Sequence, residues 1–127
     1  MKRFLPFAAM VAFATCDSGP QAGELVISLS APNQQDGAVA FTVNAAEPNT
    51  VESLVAGCTG CQVWIFRVSD AQVKGIVTGS VVPGPVLRVT VTDMRRPESY
   101  SATIQEVAAP TFALRGLSGY SLTVEKP

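Results

Sequence analysis

Two cysteines form the one local motif in this chain whose residue types and spacing could do chemistry. Cys58 and Cys61 are separated only by Thr59 and Gly60. A redox-active pair with this spacing lies at the start of a helix, whose N-terminus lowers the thiol pKa, but here the pattern of a strand follows. A zinc site needs four ligands, and the chain has no histidine and no second cysteine pair. We therefore predict a disulfide that pins a turn, and no bound metal.

The acidic residues offer no clear catalytic set. Without histidine, the chain lacks a Ser-His-Asp or Cys-His constellation and the usual general base near neutral pH. The ten acidic residues are spread singly, and we predict that they lie in solvated turns or on outward strand positions, with Asp36 a turn residue before Gly37. Two carboxylates gathered from distant strands, or calcium at Asp70 or Asp93, stay open as alternatives. We expect a protein that is not an enzyme and needs no cofactor.

The single tryptophan, Trp64, has two candidate roles. Together with Tyr100 and Tyr120 it could form a platform on which the sugar rings of a ligand stack. A buried aromatic side chain in a sandwich core is the commoner arrangement, and the apolar neighbours Ile65 and Phe66 favour it. We expect Trp64 in the core, with ligand stacking as the alternative.

The N-terminal residues have the pattern of an export signal. Lys2 and Arg3 precede an uncharged, mostly apolar run over residues 4–15, and a polar segment follows from Cys16. The run is shorter than the roughly 20 apolar residues that cross a bilayer. We predict an extracytoplasmic protein, either membrane-anchored or secreted, with a signal peptide at 1–15, a flexible tether at 16–23 and one domain at 24–127.

The end of the apolar run resembles the lipobox of bacterial lipoproteins, whose cysteine becomes the lipid-modified first residue of the mature protein. The stretch is Phe13-Ala14-Thr15-Cys16, with Phe13 and Thr15 where lipoboxes usually carry Leu and Gly or Ala. The resemblance implies a lipid on Cys16, the only expected contact with a membrane, and leaves the other two of the three cysteines to pair. The alternative is cleavage after Ala14 by an ordinary signal peptidase, which leaves Cys16 as a free thiol.

The charge of the chain limits the classes of partner. Without residues 1–15, seven basic and ten acidic residues remain, which gives a net charge of −3. The basic residues are scattered along the sequence, whereas a phosphate-binding surface needs massed positive charge. Nucleic acid is therefore not an expected partner.

Short apolar segments alternate with clusters of Gly, Pro, Asn, Asp and Ser from residue 24 onward. Many of these segments alternate apolar and polar residues, as half-buried strands do, and none has helical spacing over three turns. Eight or nine such strands predict an all-β fold with antiparallel sheets, arranged as a β-sandwich or a barrel. The residues predicted to point inward are Leu25, Ile27, Leu29, Phe41, Val43, Ile65, Val77, Leu87, Val89, Val91, Ile104, Leu122 and Val124.

Three details of the strand arrangement are also predicted. The strands at 24–31 and 39–43 are expected to be neighbours, joined by a turn at 33–37. The run over 62–68 is almost continuously apolar, which is typical of a central strand covered on both faces. Residues 79–85 are predicted to form a loop, because two prolines so close together do not fit a sheet ladder.

The order of these segments resembles the cohesin modules of cellulosome scaffolds. The resemblance rests on the segments at 25–29, 37–43, 51–55 and 119–124. It implies a jelly-roll sandwich, for which an immunoglobulin-like arrangement is the related alternative, and a protein partner that is dockerin-like or another envelope protein. It implies no particular binding residue. We expect a non-catalytic binding domain of the bacterial cell envelope; the alternatives are a carbohydrate-binding module for a polysaccharide and a structural envelope lipoprotein without a specific ligand.

Overall fold

The computed structural model describes residues 19–127, where nearly all regular structure is β-strand. The predicted signal peptide, Cys16 and the first part of the tether lie outside the described residues. Within residues 19–127 no helix is long and apolar enough to span a membrane, and a short 3-10 turn, Pro97–Ser99, precedes the seventh strand. The strands are β1 (Gly23–Ser30), β2 (Asp36–Ala45), β3 (Val51–Ala56), β4 (Cys61–Ser69), β5 (Gln72–Val81), β6 (Gly84–Val91), β7 (Tyr100–Ala108), β8 (Leu114–Arg115) and β9 (Ser121–Glu125).

These strands form two sheets that pack face to face. One sheet has four strands in the order β3-β6-β1-β9, and the other has five in the order β4-β5-β2-β7-β8. Every pairing described between neighbouring strands is antiparallel. The predicted all-β antiparallel sandwich is therefore confirmed, with nine strands in the described part of the chain.

Alternating apolar residues from both sheets build the core between them. Successive side chains of a strand point to opposite faces, so one face of each strand can be buried while the other meets solvent. Burial of an aliphatic or phenylalanine side chain contributes about 1.5–3 kcal/mol relative to exposure. Ile104, Leu122 and Val124 are partly buried against this core. Nine of the predicted inward residues are buried, namely Leu25, Ile27, Leu29, Phe41, Val43, Val77, Leu87, Val89 and Val91.

The prediction that β1 and β2 are neighbours in a sheet is wrong. β1 pairs with β6 and β9, whereas β2 pairs with β5 and β7. The segment between β1 and β2 therefore carries the chain from one sheet to the other. Alternation shows which face of a strand is buried, but it is the same whether two strands pair side by side or face each other across a core.

The strand predicted to be central, β4, is an edge strand. It pairs with β5 alone and ends the five-stranded sheet. Ile65, which was predicted to lie in the core, is 46% exposed. An almost continuous apolar run is ambiguous, because a strand buried on both faces and an edge strand with an exposed apolar face have the same composition.

The prediction of a loop over residues 79–85 is also wrong. β5 continues to Val81 and β6 begins at Gly84, so the connection is two residues long. Pro85 lies within β6 and opposite Ser28, where the register between β1 and β6 shifts. A proline fits a sheet at such an irregularity, because the ladder of hydrogen bonds is already interrupted there.

A disulfide joins Cys58 and Cys61 in the turn between β3 and β4. Within this turn Gly60 has a φ of 77°, a left-handed conformation that glycine adopts without steric cost. On the other side of the turn, a Cβ at Gly79 would collide with the carbonyl oxygen of Gly60. The turn therefore packs tightly on the end of β5 and fixes the start of β4.

Replacing Cys58 and Cys61 together with Ser is expected to weaken the domain without unfolding it. The closed loop is so short that the chain-entropy model gives a loss of about 1–2 kcal/mol in the free energy of unfolding. Urea unfolding of both proteins at the same pH measures the difference. Two free thiols at these positions in the purified exported protein, counted by mass spectrometry, would contradict the disulfide.

Candidate functional site

The outer side of β4 exposes two aromatic side chains. Val63, paired with the buried Val77, packs against the core, so the alternate residues of β4 point outward. Trp64 and Phe66 are therefore on the outer side, where they are 62% and 70% exposed. The expectation that Trp64 lies in the core is wrong, because no segment of the described part of the chain covers the outer side of this edge strand.

A row of paired residues crosses the five-stranded sheet from this point. Trp64 lies opposite Ile76 of β5, which in turn lies opposite Ala40 of β2. Ala40 lies opposite Glu106 of β7. Along this row the side chains change from the large aromatic ring of Trp64 to the methyl group of Ala40 in the middle of the sheet. The row ends with the carboxylate of Glu106.

Small residues in the middle of the sheet leave a shallow cavity of about 140 Å³ on its outer side. The far wall of the cavity is Leu114 of β8, which is 72% exposed. Exposed apolar side chains that lie together, rather than singly, mark interaction sites. We call this surface the apolar sheet face and define it as Trp64 and Phe66 together with Ile76, Ala38, Ala40, Ala108 and Leu114.

The charges near the apolar sheet face are few and of both signs. Lys74 lies opposite Phe66, and Glu106 lines the cavity. Arg67, on the inner side of β4, donates through Nη1 to the carbonyl oxygen of Ser69 at 3.1 Å and through Nη2 to that of Glu52 at 2.9 Å. Its guanidinium is therefore directed towards β3. A partner can cover the apolar sheet face with little desolvation of charge.

Gly75 determines how closely β4 packs on β5. It lies opposite Ile65 of β4 and Phe41 of β2. A Cβ at this position would lie 2.6 Å from the carbonyl oxygen of Trp64 and 2.8 Å from Cζ of Phe41. Because Gly75 has no side chain, the buried ring of Phe41 can pack against the backbone of β5. For the same reason, the backbone of Trp64 can pair with β5 without a clash.

A buried ion pair holds β8, the far wall of the cavity, against β2. The Nε atom of Arg115 lies 2.7 Å from Oδ1 of Asp36, which is fully buried. Nη2 of Arg115 also donates to the carbonyl oxygen of Gln35 at 3.4 Å. The prediction that Asp36 is a solvated turn residue is wrong, because it is the first residue of β2 and compensates the charge of Arg115. Its other oxygen, Oδ2, is buried without a hydrogen-bond partner in the described part of the chain.

The same carboxylate connects to the segment before β9. The hydroxyl of Tyr120 donates to Oδ1 of Asp36 at 3.0 Å and accepts from Nδ2 of Asn33 at 2.7 Å. Burial raises the pKa of the Tyr120 hydroxyl, and Asp36 raises it further, although the hydrogen bond from Asn33 opposes them. The ion pair and Tyr120 thus connect β2 and β8 to the segment that leads into β9 of the opposite sheet.

A second buried carboxylate, Asp93, organises the loop after β6. Its Oδ1 accepts hydrogen bonds from the backbone N–H groups of Gln21 at 3.3 Å and Arg95 at 3.1 Å. Arg95 and Arg96 also form ion pairs with it, at 3.4 and 3.8 Å. Burial raises the pKa of Asp93, but the hydrogen bonds from Gln21 and Arg95 and the charge of Arg95 outweigh it, and the net pKa is lowered. The expectation that Asp93 is solvated is therefore wrong.

Replacing Asp93 with Asn is expected to destabilise the domain at neutral pH but not in strong acid. Because the pKa of Asp93 is lowered in the folded state, its carboxylate contributes stability above the unfolded value of about 3.9, and this contribution is lost as the pH falls through the folded value. Urea unfolding from pH 7 downward should show the two stability curves converging in acid. Asp70→Asn, at an exposed carboxylate, is the control; parallel curves for Asp93→Asn would contradict the role of the charge.

The structure does not bring together the other residues considered from the sequence. Tyr100 is buried and its hydroxyl accepts a hydrogen bond from the backbone N–H of Asp93, and Tyr120 is engaged with Asp36, so neither forms a platform with Trp64. Asp70 lines an open pocket between β3 and β4, and Asp93 lines a different one. Among residues 19–127, no three acidic or cysteine side chains are grouped as metal ligands.

Several residues of the apolar sheet face were not identified from the sequence. The sequence pattern indicates Phe66 only as an apolar neighbour that favours burial of Trp64, and it does not single out Ile76, Ala38 or Ala40. One signal for them is in the sequence: β2 alternates buried Val39 and Phe41 with small outward residues. Small outward side chains on one strand, next to a strand with large apolar side chains, indicate a shallow depression on an exposed sheet face.

Comparison of the chain with protein-family models, with curated proteins and with solved structures gave no match. The fold and the site together define a class: an antiparallel β-sandwich with one apolar sheet face open to solvent.

Proposed function

We propose that this protein is an extracytoplasmic binding domain that takes a protein partner on its apolar sheet face. The observation that carries the proposal is the pair Trp64 and Phe66, which stand exposed side by side on the outer side of β4 next to Ile76. Aromatic residues are enriched at protein interfaces, where their large apolar surface contributes most of the binding energy. A domain without a ligand would gain nothing from keeping both rings in water.

The neighbours of the two rings favour a protein over a polysaccharide. A sugar ligand needs hydrogen bonds for its hydroxyl groups, because burying them unpaired is costly. The residues next to Trp64 across the sheet are Ile76 and Ala40, which supply no such partner. The resemblance in strand order to cohesin modules also supports a sandwich that binds protein.

A carbohydrate-binding module remains the second candidate function. The observation that favours it is the exposure of Trp64 itself, since an indole ring open to solvent can stack on a sugar ring. A purely structural envelope lipoprotein is the third candidate, and it leaves the exposed pair Trp64 and Phe66 without a purpose.

Cross-linking in the intact envelope tests the protein partner. A photoreactive residue at position 64 or 66 should give covalent adducts with a protein, whereas one at Thr123 should not, because Thr123 lies exposed on the other sheet. Phe66→Ala should weaken binding of the partner so identified by about thirtyfold, a loss of about 2 kcal/mol that is typical of a central aromatic contact.

A glycan array separates the two binding functions. The protein-binding domain should give no signal on any glycan, because the residues paired in a row with Trp64 across the sheet, Ile76 and Ala40, offer no hydrogen-bond partner to a sugar ring stacked on the indole. Retention on a polysaccharide that disappears in Trp64→Ala, with no adducts from position 64 or 66, would establish the carbohydrate-binding function instead.

We also propose that a lipid on Cys16 anchors the domain. Support comes from the lipobox-like stretch Phe13-Ala14-Thr15-Cys16 and from the disulfide between Cys58 and Cys61, which leaves Cys16 as the odd cysteine of the three. Cys16→Ser should move the protein from the membrane to the soluble fraction. A soluble wild-type protein that begins at Thr15 would contradict the anchor.

A further inference from the structure

Four strands end the two sheets in the described part of the chain, and β4 is the longest of them. It has nine residues, whereas β3 has six, β9 has five and β8 has two. An edge strand presents unpaired backbone N–H and C=O groups and pairs with another strand unless charge, proline or a bulge prevents it. β4 has two such features, the charge of Arg67 on its inner side and the register shift between Arg67 and Ser69. Both lie at the C-terminal end of β4, so the rest of the strand has nothing that prevents pairing with another strand.

The residue pattern of β4 is complementary to itself. Antiparallel pairing of two complete β4 strands places their two-fold axis at the middle residue, Ile65, so residue 64 of one copy lies opposite residue 66 of the other. Trp64 then pairs with Phe66 of the second copy, and the reverse pair forms on the other side of the axis. Directly opposed aromatic side chains stabilise antiparallel sheets.

The inner side of β4 fits the same arrangement. Ile65 is an inner residue, yet it is 46% exposed because the sheet ends there. On the two-fold axis it would lie against Ile65 of the second copy, which covers both side chains. The two Arg67 residues would be four positions apart, roughly 13 Å along the strands, so their repulsion is largely screened at physiological ionic strength.

We propose that two copies of this chain associate through their β4 edges, in antiparallel register about Ile65, to form one continuous ten-stranded sheet. The outer faces of the two copies then lie side by side, with both Trp64–Phe66 pairs at the centre of a doubled apolar sheet face. The inference goes beyond the proposed function, since a dimer can form whether the doubled face takes a protein or a glycan.

Sedimentation equilibrium of the full chain carrying Cys16→Ser tests the association. A reversible dimer is expected across a concentration series, and Phe66→Lys should raise its dissociation constant about tenfold or more, because each dimer loses two aromatic pairs. Thr123→Lys, at an exposed position of the other sheet, should leave the dimer unchanged. A Cys16→Ser protein that is monomeric at every concentration would overturn the proposal.

Cysteine trapping in the same background tests the register. Opposed residues of an antiparallel pair have Cα atoms about 4.5–5.5 Å apart, within the range of a disulfide. Ile65→Cys should therefore give a covalent dimer with oxidised glutathione, whereas Val68→Cys should not, because the two copies of that residue would lie six positions apart. Equal cross-linking of both variants, or none from Ile65→Cys, would overturn the arrangement. Photoadducts between two copies of this chain belong to the dimer, so only adducts of positions 64 and 66 with a different protein report on the proposed function.

Discussion

Replacing Arg115 with Met is expected to lower the free energy of unfolding by about 3 kcal/mol, the lower end of the cost of breaking a buried ion pair. The change leaves Asp36 fully buried, with the hydroxyl of Tyr120 as the hydrogen-bond donor that remains at Oδ1 within residues 19–127. Because β8 and the segment before β9 both depend on this carboxylate, the loss should also loosen Leu114, the far wall of the cavity. Chemical denaturation at neutral pH measures the effect on stability.

Asp36→Asn is the informative control, and it should cost less, about 1–2 kcal/mol. The side chain of Arg115 is 29% exposed, so its charge can reach water when the carboxylate is removed, and Asn can still accept from Tyr120. The double variant Asp36→Asn with Arg115→Met should be more stable than Arg115→Met alone, since no buried charge remains. Additive losses in the double-mutant cycle would show that the pair does not act as a unit.

Gly75→Val is expected to destabilise the domain by about 1–3 kcal/mol, the usual cost of overfilling a well-packed site. The first added atom would lie 2.6 Å from the carbonyl oxygen of Trp64 and 2.8 Å from the ring of Phe41. A backbone oxygen cannot turn away as a flexible side chain can, so β4 must move outward from β5. Denaturation measures the loss of stability, and the fluorescence of Trp64 reports whether β4 has moved.

Gly116→Val is the matched control for this change. Nothing lies within 4 Å of the position that a Cβ would occupy at Gly116, and the residue lies outside the strands. Its effect on stability should stay within about 0.5 kcal/mol, as for most surface substitutions. Equal stability of Gly75→Val and the wild type would mean that β4 and β5 are not held at this spacing.

These two predictions concern the supports of the apolar sheet face rather than the face itself. At one side of the face, Gly75 determines how closely β4 packs on β5. At the other side, the ion pair between Asp36 and Arg115 holds β8 against β2. Loss of either support should therefore weaken partner binding as well as stability. Phe66→Ala, at a side chain that is mostly in water, should weaken binding alone.

The sequence by itself determined the fold class and the buried face of most strands. Alternation on β1, β2 and β6 identified eight core residues correctly, because a strand that buries one face must place apolar residues at every second position. The segment at 51–55 on which part of the resemblance rests also lies close to the bounds of β3. The Cys-x-x-Cys spacing, followed by a strand pattern, indicated a turn rather than a helical redox site.

Only the tertiary structure decided which strand ends a sheet and which carboxylates are buried. The apolar run of β4 is the same whether another layer covers it or solvent does, so Trp64 and Phe66 could not be assigned to a surface until the strand order was known. Asp36 had the local pattern of a turn residue, and its burial depends on Arg115, which is 79 positions away in the sequence. The alternation of apolar and polar residues along a strand indicates which of its two faces is buried. The order of strands in a sheet and the ion pair between Asp36 and Arg115 depend on contacts between segments that are distant in the sequence and meet only on folding.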